Sequence, residues 1–144
     1  MKRIIELIAP KICGTVLAKM SPILDKAREK SNEEFYNVFL EQILENKVAV
    51  YFDDKVSLEE LNYNLRTLII DNHINVDTIA NDFNENEGAD GMLGIAAKTF
   101  RKQGWAICDF DSDPKIYYLS IVPISSQNEL SKFVKENGLF VQFF

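Results

Sequence analysis

Apolar positions keep a helical period over the first third of this chain. Ile4, Ile5, Ile8, Ile12 and Val16 recur at three- and four-residue steps. That spacing predicts an amphipathic helix over 3–19, bent where Pro10 removes a backbone donor. Ser21 followed by Pro22 reads as a fresh start, serine as cap and proline at the first helical position, opening a short charged helix over 22–30. The clearest stripe lies in 32–46. Phe35, Tyr36, Phe39, Leu40, Ile43 and Leu44 share one face, with Glu33, Glu34, Glu41 and Glu45 on the other face or at the ends.

The period then changes. Residues 48–52 are β-branched and aromatic with apolar groups on both faces, which reads as a central strand. Ser57 and Glu60 match a capping box for a helix running to about Asp71, with Leu58, Leu61, Leu65, Leu68 and Ile69 turned inward. Asp77 could cap a short helix through Phe83, and 84–91 has loop composition. A helix from about Asp90 to Gln103 is expected next, stopped by Gly104. Residues 105–110 and 116–122 read as a hairpin closed by the turn formers of 111–115. Pro123 ends the second strand, Ser126 caps a helix through about Asn137, Gly138 stops it, and 139–144 reads as a terminal strand docked into the sheet. The sum is an α+β fold: about four strands, mainly antiparallel, packed with five or six helices.

Composition narrows the class. The 144 residues fit one domain, 1–144, and 47% apolar with 26% charged is ordinary globular usage that argues against disorder. Cys13 and Cys108 form no CxxC pair and read as reduced thiols. The apolar run after Lys2 and Arg3 is interrupted by Glu6 and closed by Pro10, which is not a secretory pattern. No run approaches the roughly 18 apolar residues of a membrane span, so the expected location is the cytoplasm, without membrane association.

Charge is unevenly spread. Residues 1–30 carry +4, leaving −10 for the rest of a chain whose total is −6. Residues 67–97 contain no Lys or Arg but hold Asp71, Asp77, Asp82, Glu85, Glu87 and Asp90. Such a field repels nucleic acid, which needs clustered cations, and attracts a basic protein.

Candidate chemistry is sparse. Asp109, Asp111 and Asp113 alternate, so on a strand they would share one face and could hold a hard cation. An EF-hand is excluded by Pro114 where the loop needs glycine and Ser120 where it needs a bidentate glutamate. The competing reading is a turn whose Asp side chains bond nearby backbone N–H groups. Asp53 and Asp54 close the strand at 48–52. If that strand lay beside 105–110, Asp53, Asp54, Asp109 and Asp111 could converge as a metal-dependent hydrolase would require. His73, the only histidine, has no nucleophile motif to serve. Gly88, Gly91 and Gly94 match neither a dinucleotide nor a Walker pattern, and the acids around them would repel phosphate. No cofactor is expected.

The stretch 104–123, with its Asp109-Phe-Asp-Ser-Asp113 turn and second strand ending Val122-Pro123, resembles the closing hairpin of a family of small uncharacterised bacterial domains. The strand at 48–54 and its Ser57-capped helix are similar as well. The extra helix and strand from Ser126 to Phe144 depart from that pattern. Size, acidity and lack of catalytic residues also resemble bacterial immunity proteins, which neutralise a toxin by binding it. The acidic stretch at 67–97 carries the leading reading, a non-catalytic binding domain of the immunity-protein kind that docks a basic partner through Asp82, Glu85, Glu87, Asp90, Asp109, Asp111 and Asp113, with Tyr117 or Tyr118 as aromatic anchors. A homo-oligomer joined through the Phe-rich C-terminus is a further alternative.

Overall fold

One strand, Ile116–Pro123, organises the molecule, because its side chains alternate between two separate cores. Tyr117, Leu119 and Ile121 enter one and Val122 the other, with Tyr118 packed at the second core's margin. In this computed structural model, which describes residues 1–77 and 87–144, the elements in chain order are α1 (Lys2–Ile8), α2 (Cys13–Ala27), α3 (Asn32–Glu45), β1 (Val50–Asp53), α4 (Leu58–Asp71), α5 (Gly88–Arg101), β2 (Trp105–Asp109), β3 (Ile116–Pro123), α6 (Gln127–Glu136) and β4 (Gln142–Phe143). The sheet runs β1-β3-β2-β4, every neighbouring pair antiparallel. The fold is α+β, as the periodicities predict.

Helices cover both faces. α1, α2, α3 and α6 pack Ile4, Ile8, Met20, Leu24, Phe39, Ile43 and Leu130 against Ala106, Cys108, Phe110 and Val122. α4 and α5 pack Leu61, Leu65, Leu68, Leu93, Ala96 and Phe100 against Phe52, Ile107, Tyr117, Leu119 and Ile121. Double coverage explains why the β3 sequence is nearly continuously apolar rather than alternating. Its one polar interior residue, Ser120, is satisfied by donating to the Val48 carbonyl at 2.7 Å.

Four expectations are corrected. The helix foreseen over 3–19 is two helices. Ala9, preceding Pro10, is pushed to φ −137°, and α1 ends before it. α2 then runs straight through Pro22, so Ser21 is no cap. Its buried face of Val16, Met20, Leu24 and Ala27 holds a single register across the proline. Ala18, whose carbonyl loses its helical donor, is exposed to water. The strand at 48–52 is an edge, not central, and begins at Val50. Val48 and Ala49 are buried in the helical core instead, both donating to the Ile43 carbonyl. Ser126 makes no side-chain cap, because a 3-10 turn at Ile124–Ser126 leads into α6. The short helix expected through Phe83 falls largely outside the described residues.

Candidate functional site

The turn between β2 and β3 is folded by its own carboxylates. Asp109 Oδ1 accepts from the Asp111 N–H at 3.0 Å, Asp111 Oδ1 from the Asp113 N–H at 2.8 Å, and Asp113 Oδ1 from the Lys115 N–H at 2.9 Å. A two-residue repeat of aspartate is what successive side-chain turns of this kind need. Asp53, at the end of β1, does the same for the Lys55 N–H at 2.9 Å. Asp54 N–H donates to the Lys115 carbonyl at 3.0 Å, so the two acidic turns abut.

Asp109 has a second role. It is fully buried, and besides the turn it accepts from the Tyr118 N–H at 2.9 Å and from Gln142 Nε2 at 3.0 Å. Burial raises its carboxyl above the ordinary range, and these three donors oppose that shift. Tyr117 is buried on the α5 side and donates to Asp90 Oδ1 at 2.6 Å. Burial first, then Asp90, push its phenol up. On the opposite face Tyr36 donates to the Phe110 carbonyl at 2.7 Å, and burial followed by Asp111 pushes it up to about 12. Burial likewise raises the Cys108 thiol, which therefore stays protonated and inert.

Chain direction gathers further acids at this end. α4 opens directly after β1 closes, bringing Glu59 and Glu60. α5 feeds β2, so its start, with Glu87 and Asp90, lies near the end of β2, as the Asp90–Tyr117 bond requires. Asp53, Asp54, Glu59, Glu60, Glu87, Asp90, Asp111 and Asp113 thus share one end of the sheet. Lys55 and Lys115 sit among them. Among the described residues the cationic side chains in ion pairs are Lys2, Arg3, Lys30 and Lys132, which leaves these two lysines out.

The model of a family described as a domain of unknown function, DUF6630, matches residues 1–144. The chain belongs to that family. No curated protein matches it. No solved structure matches it. The helix and strand from Ser126 to Phe144, read from sequence as a departure, lie inside the DUF6630 match.

In this DUF6630 domain the residues singled out from sequence divide into three groups. Glu87, Asp90, Asp111, Asp113 and Tyr118 reach the surface in whole or part. Asp82 and Glu85 lie outside the described residues. Asp109 and Tyr117 are corrected: both are buried, the first by hydrogen bonding under the turn and the second by packing on Phe52, so neither can touch a partner directly. Tyr117 and Tyr118 point to opposite faces and cannot anchor one surface together. The premise that β1 lies beside β2 is corrected: β3 separates them, and with Asp53 opposite Ile116 and Asp109 opposite Leu119 the two residues stand roughly 14 Å apart by strand spacing and rise. Among the described residues no three His, Cys, Asp or Glu side chains form a metal-holding group. The C-terminal phenylalanines are used internally, Phe143 against one core and Phe144 against the other.

Sequence reasoning missed Tyr51. It is half exposed and meets Tyr118 edge-on, ring centroids 5.3 Å apart. Asp111 and Glu41 flank this pair closely enough that, after burial and together with Tyr51, they raise the Tyr118 phenol. Reading 48–52 as an edge would have found Tyr51, because Val50 and Phe52 then point inward and the tyrosine outward.

Proposed function

We propose that this domain is a non-catalytic binding module that docks a basic protein, in the manner of a bacterial immunity protein neutralising a toxin in the cytoplasm. The observation that carries this reading is the Tyr51–Tyr118 pair, an aromatic platform at the surface beside Asp111 and Glu41. Tyrosine supplies large contact area with few rotatable bonds, and its face attracts Arg and Lys. Carboxylates around it complement the same cations and speed encounter. The acids at the α5 side then steer rather than touch.

The test is calorimetric titration with the protein encoded beside this chain in its genome. Binding that weakens with salt supports the reading. Tyr51→Ala with Tyr118→Ala should weaken it about thirtyfold or more, the scale of an interface hot spot. Unchanged affinity in that double variant, or salt-independent binding, overturns the proposal.

A further inference from the structure

The free edge of β1 offers a hydrogen-bonding template beside the tyrosine pair. Backbone groups of an antiparallel strand point alternately toward and away from its neighbour. Asp54 N–H donates to Lys115 across the β1–β3 register, which makes 52/117 and 50/119 the bonded pairs. Tyr51, opposite Tyr118, and Asp53, opposite Ile116, therefore turn their N–H groups away from β3. The β2 side agrees, since Tyr118 spends its N–H on Asp109 and its carbonyl on Phe110 N–H. Among the described residues neither the N–H groups of Tyr51 and Asp53 nor the Tyr51 carbonyl has a partner. The opposite edge differs. β4 is two residues long, and Arg101 holds the Phe144 carbonyl just beyond it.

We infer that an extended cationic segment of the partner adds to the sheet as a strand along β1, bonding the Tyr51 N–H and C=O and the Asp53 N–H. The inference rests on the binding reading above and names its mode. Strand addition draws affinity from main-chain bonds and specificity from alternate side chains. Alternate residues of such a segment fall on the Tyr51 face, where Tyr118, Asp111 and Glu41 await cations. Its end passes Asp53 and Asp54. A second copy is the poorer occupant, because each copy carries −6. Proteins block exposed edges with lysine, proline or bulges. β1, Val-Tyr-Phe-Asp, has neither lysine nor proline, and its one charge, Asp53, has the sign that admits a cationic segment and repels an acidic one.

The experiment follows backbone amides of the ¹⁵N-labelled chain by hydrogen exchange. The probe is a capped Arg-Val-Arg-Val-Arg peptide, with a second version N-methylated at its arginines, whose N–H groups face β1 when their side chains share the Tyr51 face of an antiparallel pair. Free protein should exchange Tyr51 and Asp53 rapidly and Phe52 slowly. Saturating peptide should protect Tyr51 and Asp53 at least tenfold, and N-methylation should abolish that protection. Failure of the peptide to bind at millimolar concentration, or binding without protection, overturns strand addition. The binding reading survives either result if the partner protein still depends on Tyr51 and Tyr118. Concentration-dependent protection without peptide also overturns the inference, by identifying a second copy as the occupant.

Discussion

Asp109 shows how hydrogen bonds can hold a buried carboxyl group. Three N–H donors replace its water, two from the backbone and one from Gln142. Removing the side chain strands all three, so Asp109→Ala should cost about 2–4 kcal/mol of stability in denaturant unfolding. The same group gives a pH signature of definite sign. Its folded pKa lies above the unfolded value, so the native state binds the proton more tightly. Its contribution is fully present below the unfolded pKa, near 4, and is lost as pH rises through the raised folded value. Wild type should therefore lose stability relative to Asp109→Asn across that window and run parallel to it above. A flat difference between the two unfolding series would refute the assignment. The spacing of the three aspartates announced side-chain turns. It did not announce Asp109's depth, because alternation placed all three on one open face, whereas each turn re-aims the next residue.

Helix ends show a second limit on what the sequence discloses. α3, α4 and α6 all close with a left-handed residue followed by a six-residue return bond: Lys47 at φ 59°, His73 at φ 51° and Gly138 at φ 67°. Only the last carries the glycine that marks such an end. The others were placed within a residue or two by the end of the apolar stripe alone. The lone histidine is thereby placed at an exposed helix terminus. A side chain in the left-handed region costs roughly 1 kcal/mol, so His73→Gly should stabilise the fold by about that much and raise its melting temperature. A lowered melting temperature would show that the imidazole contributes there. Pro22 illustrates the opposite case. Local chemistry said start, and burial of one continuous face outweighed it. β1 was misplaced for a similar reason, since Val48 and Ala49 look like strand but are core. The overall α+β architecture was legible because long apolar stripes survive such local errors.

At the scale of the molecule the question is whether its acids act by field or by contact. Asp111 borders the tyrosine pair with Asp113 next to it in the turn, while Asp90 lies across the sheet bonded to Tyr117, with Glu87 at the start of the same helix. A steering field depends on charge at a distance and sets the association rate, whereas a packed aromatic centre sets dissociation. Asparagine separates the two, because its carbonyl can still accept the Asp113 and Lys115 N–H bonds that shape the turn. Asp111→Asn with Asp113→Asn should leave unfolding nearly unchanged, slow association several-fold at low ionic strength, and barely alter dissociation. Glu87→Gln with Asp90→Asn should slow association less, being farther from contact, and the two effects should fade together as the Debye length shrinks to about 3 Å in 1 M salt. Tyr118→Ala should do the reverse, quickening dissociation with association nearly intact. Stopped-flow mixing with the partner protein across a salt series measures all three. If the paired asparagines left the association rate untouched, the negative end of the sheet would be a solubility feature, and the tyrosines and the β1 edge would have to carry recognition without it.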